Sequence, residues 1–482
     1  MHHISDLKRF VRCNRLYFLS KDVHSEYKQY LRTDESLTDL IIKYLKIDNY
    51  YLGQRNDPGD RFFIEKDNYE WFVRPRFVDK ELRINVPFVH KVGDEYDLYF
   101  IYSNTQLREL DSLSYTVAFN LLNKIGVVVN DINIIYLNGD YAFDEELDVD
   151  KLFICTNKYK NKKIVNIIKN DNFDYEDVID KMNSLSIEDC MPCKNKYCKQ
   201  NGICEYYLEC FNEAEDLEDD SILSLVSSKY KNEMYDEGLI HLKDVDLNRI
   251  EGNRTQYAQI MASQNGGLFV DKLALKDWIS KLNKRPISFI DFEWDRYLVP
   301  PYNKMKPMDV VCFEFALYIL DEDGHLKHKT FVGTGDCREE FIKQLINNIP
   351  SSGPIVAYNA LGAECLRLKE LSSIFPTYAD KLQALNERFI DLATPFVEGL
   401  IYDVRMNGNY TLKKLVDICS DYSYKNLDIY DGMEAVYNWR NVDKGESIDG
   451  DKIIDNLKQY CSLDAYGLFL VYKWLIEILI SH

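Results

Sequence analysis

Short apolar runs alternate with amphipathic segments along the back part of the chain. Residues 309–318 and 355–358 have the length and hydrophobicity of buried strands, and Phe289-Ile290 begins another. Residues 339–348 have helical periodicity, and the turn at 359–362 leads into a further helix. This alternation of strands and helices predicts an α/β fold.

The front part of the chain shows a similar alternation. Strand-like segments at 71–78 and 97–105 are followed by a helix at 115–123. Further strands are predicted at 126–129 and 134–141. The front part is therefore also expected to be an α/β domain.

An acidic run separates the two parts. Residues 213–220 are mostly Asp and Glu and are expected to form a solvated boundary. Residues 221–284 then have apolar positions at helical spacing. We therefore expect a front domain at 1–212, an acidic linker and helical connector at 213–285, and a back domain at 286–482.

The composition limits the classes of protein that the chain can be. Of its 482 residues, 46% are hydrophobic and 13% aromatic, which is enough for packed cores and excludes a disordered tail. The net charge is −20. Because Lys and Arg make the phosphate contacts in nonspecific duplex binding, this charge excludes a histone-like coating protein.

Asp291 and Glu293 form the first candidate site. They are two residues apart in a predicted strand, so both carboxylates leave the same face. The apolar residues before them predict a buried strand, where two like charges require a neutralising cation. Hard divalent ions such as Mg²⁺ prefer oxygen ligands of this kind. For this motif alone, an exposed strand end without a role is the alternative.

Two later segments add acidic residues to this picture. Glu364 falls in the first turn of the helix that follows residues 359–362. Tyr460 and Asp464 are one helical turn apart, on one face of a predicted C-terminal helix. Three widely spaced acidic elements therefore predict one metal centre.

This order of motifs resembles the DnaQ-like, or DEDD, 3'-5' exonucleases of the RNase H-like superfamily, on the branch that carries a tyrosine. The resemblance implies four carboxylates that hold two Mg²⁺ or Mn²⁺ ions, and a tyrosine that orients the attacking water. These residues are Asp291, Glu293, Glu364, Asp464 and Tyr460. The family has Asp at the second motif, whereas Glu364 stands one residue further from Asn359 than usual. A carboxylate that only favours the start of its helix is the alternative for Glu364.

Further strings in the back part resemble a family of uncharacterised bacterial proteins that have this exonuclease as their back half. The matching strings are residues 364–371, 388–392, 408–415 and 424–427. Members of that family carry a RecB-like nuclease half, of the PD-(D/E)xK type, with an iron-sulfur cluster in front. The resemblance therefore implies cluster ligands in the front domain.

The cysteines fit this implication. Five of the twelve lie close together, at positions 190, 193, 198, 204 and 210. In AddB-type iron-sulfur nucleases, one N-terminal cysteine joins three near the end of the domain to hold a [4Fe-4S] cluster. The residues that match by resemblance are Cys13, Cys198, Cys204 and Cys210. Cys190 and Cys193 have no role in this interpretation.

Zinc is the second interpretation of these cysteines. Cys190 and Cys193 would form a CxxC pair, and two of the later cysteines would complete a tetrahedral site. Disulfides are the third interpretation. The sequence shows no signal peptide and no apolar run long enough to span a membrane, so we expect a reducing cytoplasm and no membrane partner.

The PD-(D/E)xK resemblance also implies an Asp on one strand and Glu-x-Lys on the next. Aligned with strands 71–78 and 97–105, the chain has Phe100-Ile101-Tyr102 where Glu-x-Lys is expected. A site without carboxylates cannot assemble the metal. We therefore expect a catalytically silent domain, kept as a scaffold or a DNA-binding surface. The alternative is a different alignment in which Asp79 or Asp97 serves.

Two functions are compatible with these patterns. The first is a 3'-5' exonuclease acting on single-stranded nucleic acid, with DNA favoured over RNA and the front domain binding the strand. The second is a non-catalytic nucleic-acid-binding or complex-assembly protein built from two decayed nuclease domains. The complete set of acids in the back domain favours the first. The sequence indicates no particular protein partner.

Overall fold

The chain has a mixed α/β structure. The computed structural model describes residues 1–21, 33–192, 196–198, 204–210, 220–250, 252–422, 424, 427–429, 431–447 and 449–481. It has two compact units, residues 1–215 with 297–309 and residues 216–296 with 310–482. Where it is described, the stretch expected as a connector at 213–285 belongs to the second unit.

The first unit alternates short strands and helices. Its strands are β1 (His2–His3), β2 (Tyr50–Leu52), β3 (Trp71–Val73), β4 (Arg76–Asp79), β5 (Leu82–Asn85), β6 (Phe88–Val92), β7 (Glu95–Tyr102), β8 (Val129–Leu137), β9 (Phe153–Thr156), β10 (Lys158–Tyr159) and β11 (Lys162–Lys163). Its helices are α1 (Ile4–Arg12), α2 (Asn14–Leu19), α3 (Thr33–Tyr44), α4 (Arg61–Glu65), α5 (Ser112–Lys124), α6 (Val149–Leu152), α7 (Ile164–Lys169), α8 (Tyr175–Ser184) and α9 (Tyr207–Cys210).

Six of these strands form the main sheet of the first unit, in the order β2-β3-β6-β7-β8-β9. β7 and β8 pair in parallel and are connected through α5, as a parallel pair requires. Leu98, Ile132 and Ile134 on these two strands are fully buried in the core of this unit. The expected front α/β architecture is therefore present.

Three of the strands predicted for the first unit differ in the structure. Residues 71–78 do not form one strand, because Arg74 has a φ of +52° and ends β3 just before Pro75. The strand that forms a hairpin with β7 is instead β6. Residues 126–129 and 134–141 contribute to a single strand, β8. The predicted helix at 115–123 is confirmed as α5.

The second unit begins with short helical turns and ends with a long helix. Its helices are α10 (Lys231–Asp236), α11 (Arg254–Gln264), α12 (Lys272–Ser280), α13 (Arg338–Asn348), α14 (Glu364–Ile374), α15 (Ala379–Asn386), α16 (Thr394–Val397), α17 (Leu412–Cys419), α18 (Gly432–Asp443) and α19 (Gly450–Ser481). Its strands are β12 (Leu268–Val270), β13 (Ile287–Arg296), β14 (Val310–Leu320), β15 (Leu326–Val332), β16 (Ile355–Ala357), β17 (Phe389–Asp391) and β18 (Ile401–Asp403).

Five strands form the main sheet of the second unit, in the order β15-β14-β13-β16-β17. β13, β14 and β15 pair in antiparallel fashion, whereas β16 and β17 extend the sheet in parallel with β13. The predicted strands at 309–318 and 355–358 and the predicted helix at 339–348 are confirmed as β14, β16 and α13. β13 is therefore the central strand, as its apolar start predicts.

Alternate side chains of β13 face two different helical layers. Ile290 and Phe292 are buried in the core that includes residues of α13 and α14. On the other face, the ring of Phe289 lies 5.7 Å from that of Phe469 and 5.5 Å from that of Tyr472, both on α19. Asp291 and Glu293 therefore project from the face that α19 covers. None of the described helices is both long and apolar enough to cross a membrane.

Candidate metal centre

Three carboxylates meet between β13 and α19. Asp291, Glu293 and Asp464 each offer an oxygen, and these oxygens lie within 4.8 Å of one another. Asp291 and Glu293 are partly buried, and Asp464 is only 7% exposed. The structure thus brings together three of the four predicted carboxylates at one point.

Burial raises the pKa of all three groups, and repulsion from nearby carboxylates adds to it for Asp291 and Glu293. Burial raises the pKa of Asp291 well above its ordinary value, and the nearby carboxylates of Asp464, Glu293 and Glu364 raise it further. Burial also raises the pKa of Glu293, with Asp464 adding to the effect. The pKa of Asp464 is raised by burial as well. Three such groups are stable together only if protons or cations neutralise them.

Glu364 lies beside this group of three, and not within it. It is the first residue of α14, as predicted, and is 2% exposed. Burial raises the pKa of Glu364 to about 8, and the nearby Asp391 carboxylate contributes. Its Oε2 atom has no hydrogen-bond partner. Glu364 therefore has one carboxylate oxygen that is buried beside the group of three and makes no hydrogen bond.

α19 also contributes the predicted tyrosine. Tyr460 is buried at 4% exposure, and burial followed by the nearby Asp464 carboxylate raises its pKa. A second tyrosine, Tyr424, donates a hydrogen bond from its hydroxyl to Oδ1 of Asp464 at 2.7 Å. Both phenols therefore remain protonated donors at neutral pH.

Lys413 is a site residue that the sequence reasoning missed. It lies on α17, and its Nζ donates to the hydroxyl of Tyr460 at 3.3 Å. The same Nζ is 4.9 Å from the ring centroids of both Tyr424 and Tyr460. Its charge also partly offsets the raised pKa of Glu293 and of Asp464. Nothing in the string Leu412-Lys413-Lys414-Leu415 distinguishes this lysine from its neighbour.

A second group of three potential ligands lies in the turn between β14 and β15. Asp321, Asp323 and His325 offer atoms within 4.8 Å of one another, and Asp323 and His325 are exposed. Oδ1 of Asp321 accepts hydrogen bonds from the backbone N–H groups of both other residues. The turn itself therefore explains this arrangement.

The predicted cluster cysteines gather in the first unit. Cys13 lies between α1 and α2, and its thiol is close enough to Cys210 to raise the pKa of that thiol, which is raised mainly by burial. Cys204 acts on Cys210 in the same way, and the backbone N–H of Cys204 donates to the carbonyl of Cys198 at 2.8 Å. Cys13 and Cys204 therefore lie near Cys210, and Cys198 is joined to Cys204 through the backbone.

Cys190 joins the same neighbourhood, whereas Cys193 lies outside the described residues. Burial raises the pKa of the Cys190 thiol, and Cys13 contributes. The eleven described cysteines are all free thiols. Among the described residues, no three sulfur atoms lie within 4.8 Å of one another. Ligands of one tetrahedral zinc ion would be that close, since each Zn–S bond is about 2.3 Å.

The first unit was expected to lack the acids of an active PD-(D/E)xK site, with Asp79 or Asp97 as the alternative. β6, which pairs with β7, has the sequence Phe-Val-His-Lys-Val and carries no acid. The alternative acid Asp79 accepts hydrogen bonds from Lys124 at 2.7 Å and Tyr175 at 2.8 Å. Asp97 accepts one from Asn130 at 2.7 Å. No group of three potential metal ligands within 4.8 Å occurs among the described residues of this unit.

In comparison with known proteins, one family model matches part of the chain. A family described as a domain of unknown function, DUF2779, matches residues 288–411. The match begins in β13 and contains Asp291, Glu293 and Glu364, and it ends before α19. No curated protein and no solved structure matches the chain.

Proposed function

We propose that the second unit is a metal-dependent 3'-5' exonuclease that hydrolyses single-stranded nucleic acid, with DNA favoured over RNA. The observation that carries this proposal is the approach of Asp291, Glu293 and Asp464 to within 4.8 Å in a buried setting. Carboxylates that lie this close repel one another unless a cation lies between them, and divalent cations prefer oxygen ligands of this kind. The central position of β13 in a mixed five-stranded sheet supports the resemblance to RNase H-like exonucleases.

The donor atoms fit Mg²⁺ or Mn²⁺. All are carboxylate oxygens, which hard divalent ions prefer, and their raised pKa values mean that a bound cation replaces protons. Asp291, Glu293 and Asp464 would hold the ions, with Glu364 as the fourth carboxylate. Two bound ions supply Lewis-acid activation and charge stabilisation for an in-line displacement at phosphorus.

The remaining side chains would position the reacting groups. The hydroxyl of Tyr460, which accepts a hydrogen bond from Lys413, would orient a water beside the carboxylates. Tyr424 fixes the orientation of Asp464 through the bond to Oδ1. The positive charge of Lys413 would also favour a phosphate at this site, although the net charge of the chain is negative.

For the first unit we propose a catalytically silent PD-(D/E)xK-like domain that serves as a scaffold for substrate binding. The absence of acids from β6 and from positions 100–102 supports this role. The four predicted cysteines would hold a [4Fe-4S] cluster, with Zn²⁺ as the alternative. The approach of Cys13 and Cys204 to Cys210 supports a shared metal site of either kind.

The test is digestion of a 5'-labelled linear single strand by the purified full chain with Mn²⁺. We expect a ladder of products shortened from the 3' end, no products in EDTA, and no cutting of a circle of the same sequence. A label released from the 5' end would contradict the polarity. Cutting of circles that persists in Asp291→Asn would contradict a silent first unit.

A further inference from the structure

Glu314 is a buried acid that the proposed mechanism does not use. It lies on β14, is 0% exposed, and neither of its carboxylate oxygens has a hydrogen-bond partner. An ionised carboxylate in such a place lacks any compensating donor, and a protonated one leaves its O–H without an acceptor. The metal-free protein therefore bears the full desolvation penalty of this group.

The register of the sheet places Glu314 next to the metal centre. Glu314 is directly opposite Glu293 in the antiparallel pair β13–β14, so both side chains leave the face that α19 covers. Burial raises the pKa of Glu314, and the charges of Glu293 and Asp464 add to the effect. Like charges directly opposite each other destabilise a sheet.

The neighbours of Glu314 offer little compensation. Lys458 is the cation that lowers the pKa of Glu314, but its Nζ lies 3.5 Å from Asp455 and its side chain is 40% exposed. Cys461 of α19 packs against Ala316 of β14 in this layer, and neither residue donates a hydrogen bond to Glu314. A cation from solution would complete the site.

We propose that Glu314 is a further carboxylate of the metal centre and helps Glu293 and Asp464 to hold a divalent cation. This inference rests on the proposed function only in requiring that Asp291, Glu293 and Asp464 bind a metal. Glu314 would be a fifth carboxylate beside the four predicted acids, and it comes from β14. The cation also removes the repulsion between Glu293 and Glu314.

The test is a titration of the full chain with Mn²⁺. The EPR signal of the free ion measures how much Mn²⁺ remains unbound. All proteins carry Asp323→Asn, which removes a ligand from the exposed turn and limits binding to the buried centre. Glu314→Gln keeps the shape of the side chain, and we expect it to weaken Mn²⁺ binding about tenfold or more. Asp291→Asn is the reference for loss of the centre.

Thermal melting of these proteins, and of Glu314→Leu in the same background, distinguishes a metal ligand from a residue that only supports the fold. Without metal, we expect Glu314→Leu to melt a few degrees higher than the parent, because a buried acid without partners is removed. With Mn²⁺, it should gain less stability than the parent. Unchanged Mn²⁺ affinity in Glu314→Gln, or loss of the fold in both variants, would overturn the inference. If the parent itself binds no Mn²⁺, the proposed function fails instead.

Discussion

At the scale of single residues, local spacing predicted where most of the candidate site residues lie. The two-residue period of β13 was enough to place Asp291 and Glu293 on one face, and the one-turn spacing of Tyr460 and Asp464 placed those two on α19. Lys413 could not be predicted in this way, because its contact with Tyr460 spans 47 residues and depends on how α17 packs against α19. Local spacing shows which side chains of one strand or helix share a face. It does not show which side chains of another helix contact them.

Lys413 should act through the hydroxyl of Tyr460. We expect Lys413→Met to lower the rate of nucleotide release by about 100-fold, the cost of removing one charged or donor group from a preorganised site. Lys414→Met, on the same helix, should have little effect. Since both residues act through one hydroxyl, Lys413→Met combined with Tyr460→Phe should be no slower than the worse single variant. Additive losses would show that Lys413 acts on its own.

Glu364 makes the stability of the metal-free protein depend on pH. Its pKa is raised from an ordinary value of 4.5 to about 8, so the folded state holds this proton more tightly than the unfolded chain does. The free energy of unfolding should therefore fall as the pH rises from about 4.5 to about 8. Bound Mn²⁺ replaces the proton and should remove this loss. Melting curves recorded across this pH range, with and without Mn²⁺, measure this loss of stability. The same pH dependence with and without Mn²⁺ would contradict the account.

At the scale of elements, strands and helices with strong hydrophobic patterns were predicted well, whereas breaks within a strand were not. β14, β16 and α13 follow from their own hydrophobic patterns. The break between β3 and β4 at Arg74 depends on a left-handed backbone conformation that a residue other than glycine adopts, and no pattern of apolar positions indicates it. The position of β6 beside β7 likewise depends on pairing rather than on periodicity.

The packing of α17 on α19 gives an element-scale prediction. A Cβ at Gly467 of α19 would lie 2.8 Å from Cγ2 of Val416 on α17. Gly467→Ala should therefore push the two helices apart and destabilise the protein by about 1–3 kcal/mol, which exceeds the gain of about 1 kcal/mol in helix propensity. Nucleotide release should fall with it, because Lys413 moves away from Tyr460.

A compensating change provides the control for this prediction. Val416→Ala removes the atom that Gly467→Ala would strike, so the double variant should recover activity relative to Gly467→Ala. Urea unfolding and nucleotide release measure the two effects. A Gly467→Ala protein that is more stable than the parent would show that helix propensity outweighs packing at this position.

At the scale of the whole molecule, the resemblance to iron-sulfur nucleases predicted that Cys13 lies near the later cysteines. Cys13 is far in sequence from Cys204 and Cys210, yet the first unit brings it close to this group, as a ligand set joining both ends of a domain requires. Cys190 also lies near Cys13, although the resemblance gives it no role. The sequence alone could not decide which of these neighbouring cysteines would bind a metal.

Metal analysis tests this part of the account. Full-length protein prepared without oxygen should contain about four iron atoms per chain and be brown. Cys204→Ser should lose the iron and destabilise the first unit, because the binding free energy of the cluster is also folding free energy. Cys155→Ser, at a half-buried cysteine of β9, is the control and should keep the iron. Stoichiometric zinc without iron would favour the tetrahedral alternative.

The central claim is that the carboxylates between β13 and α19 hydrolyse nucleic acid through bound metal. The most direct measurement compares release of 3'-terminal mononucleotides from a linear single strand by the parent, by Asp291→Asn and by Asp323→Asn, each with Mn²⁺. We predict that Asp291→Asn lowers the rate by about a thousandfold or more while melting as a folded protein. Asp323→Asn, in the exposed turn, should match the parent. Equal rates for Asp291→Asn and the parent, or no release by the parent, would contradict the account.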